Sequence, residues 1–153
     1  MQTFPPTVVL RHRKENLKKC SLRGLESLED FLFFTYPRDL LPDLNGFILL
    51  DMDAPALSQA DCDRGLFVLD GTWRYAQKMY ENTSGLDVLV KRSIPSHYKT
   101  AYPRKQEDCP DPERGLASIE AIYISYFIMG RDTEGLLDQY HWKDRFLEIN
   151  NLS

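Results

Sequence analysis

Cysteine, histidine and long apolar runs are all scarce in this chain, and each shortage removes a class of function. Cys20, Cys62 and Cys109 are widely spaced, with no Cys-x-x-Cys pair and too few sulfurs for a thiolate zinc site. Reduced thiols and no bound metal are therefore expected. His12, His97 and His141 are dispersed, which gives little support to a metal site or a nucleophile triad. No apolar run reaches membrane-spanning length, and Met1-Gln2-Thr3-Phe4-Pro5-Pro6 lacks the charged and apolar regions of a secretory signal. The simplest inference is a soluble cytoplasmic protein with no membrane partner. Repeats and low-complexity linkers are also missing, and 153 residues suit one compact domain, 1–153. A net charge of −4 argues against an indiscriminate nucleic-acid coat protein, while leaving room for a local basic groove.

What is present is an alternation of short apolar runs with helical stretches, the pattern of an α/β layer fold. Thr7-Val8-Val9-Leu10 reads as a strand. Gly24 to Phe34 carries Leu25, Leu28, Phe31 and Leu32 at helical spacing and predicts a helix stopped by Tyr36-Pro37. Further strands are predicted at Gly46–Leu50, Leu66–Leu69 and Leu86–Val90, and their continuous apolar character suits strands covered on both faces. Ile119–Met129 is a strongly apolar helix, and Leu136–Leu147 reads as a terminal helix packed on the sheet. The fold class is thus α/β, a central mostly parallel sheet with helices on both faces.

The most informative motif is Asp70-Gly71-Thr72-Trp73, which sits where the Leu66–Leu69 strand turns into a helical stretch from Arg74 to Tyr80. Open α/β sheets bind ligands at the carboxyl ends of their strands, so a carboxylate, a hydroxyl and an indole there form a candidate site. Helix capping by Asp and Thr, with Trp in the core, is the structural alternative. Two segments concentrate positive charge at predicted strand exits. The first holds Arg11, His12, Arg13, Lys14, Lys18, Lys19 and Arg23; the second holds Lys91, Arg92, His97, Lys99, Arg104 and Lys105. If the strands are parallel, both share an edge with Asp70 and can track a polyanion, with Tyr98 and Tyr102 available to stack bases. Solvated surface loops are the alternative. Asp51-Met52-Asp53 resembles the paired carboxylates of magnesium sites, but nothing beside it supplies a phosphate cradle. Pro103, Pro110 and Pro112 mark the stretch before Ser118 as a loop that either closes on substrate or simply connects.

Three blocks resemble the DTW-domain proteins: Val9-Leu10-Arg11-His12-Arg13-Lys14-Glu15, Asp70-Gly71-Thr72-Trp73-Arg74, and Gly115-Leu116-Ala117-Ser118-Ile119-Glu120-Ala121. That family transfers a 3-amino-3-carboxypropyl group from S-adenosylmethionine to uridine in transfer RNA. Three other blocks resemble the related small-subunit ribosomal RNA aminocarboxypropyltransferases: Lys18-Lys19-Cys20-Ser21-Leu22-Arg23-Gly24-Leu25, Leu57-Ser58-Gln59-Ala60-Asp61 and Phe146-Leu147-Glu148-Ile149-Asn150. Thr72 stands where the ribosomal group usually has Ser, so transfer RNA is the first substrate expected and ribosomal RNA the second. The cysteine cluster that opens many DTW proteins has no counterpart here. The resemblance implies a SPOUT-type fold with a C-terminal trefoil knot, S-adenosylmethionine as co-substrate and RNA as partner; the missing cysteine cluster leads us to expect no metal, and a monomer is expected.

Under that resemblance the residues divide the work. Trp73 walls the sulfonium and favours it by cation–π attraction. Asp70 is the base that takes the uracil imide proton, or the group that holds the cofactor's amino group or balances its charge. Thr72 caps the helix or bonds the cofactor. Ser21, with nearby backbone amides, receives the cofactor carboxylate, or is a plain N-cap. Leu50, Leu57, Phe67 and Leu116 are apolar contacts to the adenosine or ordinary core. Ser118 and Glu120 open a helix beside the site. Arg11, Arg13, Lys14, Lys18, Lys19, Lys91, Arg92, Lys99, Arg104 and Lys105 are the RNA contacts.

Overall fold

The computed structural model describes residues 4–14, 22, 24–51, 53–70, 73–101 and 116–152, with only the backbone of Trp73. Among the described residues five strands form one sheet: β1 (Thr7–His12), β2 (Phe31–Tyr36), β3 (Ile48–Leu50), β4 (Leu66–Asp70) and β5 (Val90–Arg92). Their order is β2-β1-β4-β3-β5, and every pairing is parallel. The helices are α1 (Trp73–Asn82), α2 (Ser118–Met129) and α3 (Lys143–Ile149). No helix among the described residues is long and apolar enough to cross a membrane.

Strand alternation divides the core into two layers. Val9, Ile48 and Leu66 point to one face and pack with Ile119, Ile122 and Met129 of α2 and Phe146 of α3. Val8, Leu10 and Phe67 point to the other and meet Met79 of α1, Leu44 and Leu86. Covering on both faces explains why these strands read as continuous apolar runs. Nearly all of α2 is apolar because it lies deep in the first layer, where Ile119, Ile122 and Ile124 are almost fully buried. It stops at Gly130, whose φ of 79° lets its N–H reach the Phe127 carbonyl while the Arg131 N–H reaches Tyr126.

Three predicted elements differ from the observed ones. The expected Gly24–Phe34 helix is a 3-10 turn, Leu25–Ser27, followed by β2. Leu25 and Phe31 are buried, but Leu28 and Leu32, which a helix would turn to the same face, are exposed at 39% and 43%. What decides is Phe31-Leu32-Phe33-Phe34-Thr35-Tyr36, an aromatic and β-branched run that pairs with β1 along its whole length. The expected Leu86–Val90 strand is a 3-10 turn, Leu86–Val88, opened by Gly85 at φ 85°, and pairing begins only at Val90. The expected Leu136–Leu147 helix is shortened to α3, because Gly135 at φ 84° starts a run of turns in which adjacent Leu136 and Leu137 are both buried.

One glycine is required by close packing. A Cβ at Gly65, just before β4, would lie 2.6 Å from Phe47 Cζ and 2.7 Å from Phe47 Cδ2. Gly65→Ala is expected to destabilise by about 1–3 kcal/mol, read from the urea midpoint, since the ring must shift against its packed neighbours.

Candidate functional site

The carboxyl edge of the sheet contains a topological switch point. The chain leaves β1 by way of Leu22 and Leu25, which pack on the α2 face, but leaves β4 into α1 on the opposite face. Adjacent parallel strands whose connections diverge leave a crevice between them, the place where open α/β sheets take ligands. Asp70 ends β4 at this crevice, paired in register with Arg11 of β1. The Arg11 Nε donates to Asp70 Oδ2 at 2.9 Å, and both side chains are buried, 11% and 4% exposed.

Arg11 is held by two further contacts. Its guanidinium carbon lies 4.6 Å over the Phe33 ring, its Nη1 is 3.5 Å from Glu26 Oε2, and Glu26 in turn accepts the Gly24 N–H. Two carboxylates thus share one guanidinium, and the cluster suits a cationic ligand. Of the proposed adenosine contacts, Leu57 is buried in the α2-side core, and Leu50 and Leu116 are half-buried against it. Phe67 does not join them: strand alternation turns it to the α1 face, where it is 1% exposed in the other layer. Ser21, Thr72, Lys18, Lys19, Tyr102, Arg104 and Lys105 lie outside the described residues, as does the Trp73 side chain.

Because the sheet is wholly parallel, Arg11, Arg13, Lys14, Lys91 and Arg92 share the edge where Asp70 sits. They are not equally available to a phosphate. Arg11 is committed to the Asp70 pair. Arg92 lies 3.3 Å from both oxygens of buried Asp61, which also closes a capping box with Ser58. Arg13, Lys14, Lys91 and Lys99 are exposed. Lys91 approaches Asp51 at 3.9 Å and the Tyr80 ring at 5.3 Å; Tyr80 raises its pKa. Asp51 accepts the Asp53 N–H, so that acidic pair forms a local turn. Among the described residues no three potential metal ligands cluster. Tyr98 packs on the core beside His97 instead of standing free to stack.

The carboxyl edge of the parallel sheet thus carries a largely buried ion pair at its switch point, flanked by the exposed cations Arg13, Lys14 and Lys91. The structure is similar to that of the SAM-dependent rRNA:acp-transferase Tsr3 from Vulcanisaeta distributa, with a TM-score of 0.72 over 97% of this chain and 80% of that one. The chain is similar in fold to Tsr3. Sequence identity to Tsr3 is 21%, so the likeness concerns fold. No protein-family model and no curated protein sequence matches the chain. The DTW assignment and its transfer-RNA substrate therefore gain no support beyond the motifs themselves.

Two features escaped sequence reasoning. The Arg11–Asp70 pair was hidden because Arg11 stands in a basic run; aligning the ends of two parallel strands would have set it opposite Asp70. The other is Glu120, fully buried, which accepts from Thr100 Oγ1, Tyr140 Oη and the Ala101 and Ala117 amides. Only its place in a helix's first turn was readable in advance.

Proposed function

We propose that this protein transfers a 3-amino-3-carboxypropyl group from S-adenosylmethionine to a uridine or related pyrimidine in ribosomal RNA. The observation that carries the reading is the buried Arg11–Asp70 pair at the switch point of a Tsr3-like fold. Ribosomal RNA replaces transfer RNA as first choice because the similar structure is that of an rRNA enzyme. When bound, S-adenosylmethionine supplies a sulfonium whose methionine-side methylene carbon is open to attack, with methylthioadenosine as the leaving thioether. The donor set fits such a ligand: a net negative cluster of Asp70, Glu26 and Arg11, with half-buried Leu50 and Leu116 as apolar walls.

Asp70 manages the charge of the step. The uracil imide nitrogen loses its proton, a nitrogen–carbon bond forms as the carbon–sulfur bond breaks and its electron pair leaves on the thioether sulfur, and Asp70 either takes that proton or balances the sulfonium beforehand while the proton passes to solvent water. Arg11 holds the carboxylate in place without competing for the nucleophile. Trp73 and Thr72 belong to the same junction as wall and hydrogen-bond donor, and Ser21 to the cofactor carboxylate. Exposed Arg13, Lys14, Lys91 and Lys99 bind RNA phosphates, with Lys18, Lys19, Arg104 and Lys105 in the same role, so affinity should fall steeply with salt. The C-terminal trefoil knot goes with this reading, and an experimental structure of the cofactor complex checks it.

The test uses cofactor labelled on the methyl or on the methionine carboxyl carbon, incubated with ribosomal RNA precursors and, separately, with transfer RNA. Label from the carboxyl carbon alone, in ribosomal RNA, is the expected result. Label from the methyl makes the protein a methyltransferase, label in transfer RNA alone restores the other substrate, and label from neither makes it a binding module.

A further inference from the structure

Arg11 and His12 are consecutive in β1, so their side chains leave the sheet on opposite faces. Arg11 goes to the α2 face and binds Asp70, the last residue of β4. His12 goes to the α1 face and stacks on Tyr75, with ring centroids 4.0 Å apart and planes 7° from parallel. Tyr75 lies in the first turn of α1, two residues after Trp73. One strand end therefore grips the chain on both sides of the 70–73 junction, before it through an ion pair and after it through an aromatic stack. The Tyr36 ring of β2 also lies beside the imidazole, tilted by 33° with centroids 5.5 Å apart.

We infer that His12 is a positioning residue for the proposed cofactor site, clamping the first turn of α1 through Tyr75 while its neighbour Arg11 fixes Asp70. The ring does this in its neutral form. Its Nδ1 accepts the Lys14 N–H at 3.1 Å, a bond that a protonated Nδ1 cannot make. The groups facing it are Arg13 and Lys14 on its own strand's exit, Tyr36 on β2, and Tyr75 and Lys78 on α1. Burial, then the positive charges of Lys14, Arg13 and Lys78, lower its pKa below the ordinary 6.5. The folded state thus favours the uncharged ring. The clamp is complete above pH 6.5 and is lost as the pH falls through the lowered value, where protonation breaks the Lys14 contact and places a cation among cations.

The inference rests on the proposed cofactor chemistry for only one of its two readouts. The cofactor-independent readout uses Trp142→Phe, which leaves Trp73 as the single tryptophan. In that background the emission of Trp73 is expected to shift as the pH is lowered from 8 to 5. Adding His12→Phe, which keeps a stacking ring but has no titratable nitrogen, should flatten the shift. The second readout is the dissociation constant for S-adenosylmethionine at pH 7.5: Tyr75→Ala weakens it by about tenfold, whereas Tyr75→Phe restores wild-type affinity. Emission that responds to pH equally with and without the His12→Phe change overturns the clamp, as does Tyr75→Ala with wild-type affinity. A wild-type protein that binds no cofactor yet shows the His12-dependent shift overturns the functional proposal and leaves the clamp standing.

Discussion

Arg11→Met is expected to lower the free energy of unfolding by about 3–5 kcal/mol, because it strips the guanidinium from a carboxylate that cannot reach bulk water. The Asp70 side chain is 4% exposed and accepts from Arg11 Nε at 2.9 Å. Methionine fills similar space over Phe33 but carries no charge, so the loss is electrostatic more than steric. The double variant Arg11→Met/Asp70→Leu removes both charges, and should recover most of that stability, to within about 1 kcal/mol of the wild type. Urea unfolding of the four proteins completes a double-mutant cycle, whose coupling term isolates the pair. A coupling near zero would mean that the two side chains do not depend on one another.

The same pair separates structure from chemistry. Asp70→Asn keeps the shape and can still accept from Arg11, so it is the gentler probe of function. The proposed reaction requires a charged oxygen at this position, and transfer should fall by about a hundredfold or more. Cofactor affinity then divides the two roles open to Asp70. Near-normal binding with lost turnover marks a proton acceptor, and lost binding marks a group that holds the cofactor.

Much of the fold was legible because burial on both faces leaves a plain signature. Leu66-Phe67-Val68-Leu69 and Ile119–Met129 admit little besides a central strand and a core helix. Gly24–Phe34 was not legible, since four apolar residues at helical spacing give no sign that Leu28 and Leu32 are left exposed when Phe31–Tyr36 pairs with β1. Asp70 was legible as the end of a strand turning into a helix. Its partner was not, because a register between strands nearly sixty residues apart in sequence is decided by packing, not by local pattern. Phe67 shows the same limit from the other side: an apolar residue three positions before Asp70 looks like part of a pocket until alternation turns it away. Arg92, read as an RNA contact, is drawn to Asp61 by a contact across the sheet edge that no local motif announces.

Glu120→Ala is expected to cost about 4 kcal/mol or more, enough to leave little folded protein at 37 °C, whereas Glu120→Gln costs about 1–3 kcal/mol. The difference follows from how the donors are divided. Oε1 accepts the Thr100 hydroxyl at 2.5 Å and the Ala117 N–H at 2.8 Å; Oε2 accepts the Tyr140 hydroxyl at 2.9 Å and the Ala101 N–H at 2.8 Å. Each oxygen thus receives one hydroxyl and one backbone amide. In the glutamine variant the side-chain NH2 must replace one of those oxygens. The hydroxyl facing it can turn and accept, but the backbone N–H cannot, so one buried donor is left unpaired. Alanine abandons both oxygens, and all four donors lose their acceptor. Unfolding curves that rank wild type above Gln and Gln above Ala support this division, and a Gln variant as stable as wild type refutes it. The consequence reaches the site, because Ala101 and Ala117 stand at the two ends of the 102–115 stretch and Tyr140 belongs to the segment before α3. One carboxylate fixes the spacing of all three, so Glu120 variants should lose stability and RNA transfer together, whereas Asp70→Asn, which leaves the Arg11 guanidinium an amide oxygen to donate to and Glu26 as a charged partner, should lose transfer far more than stability.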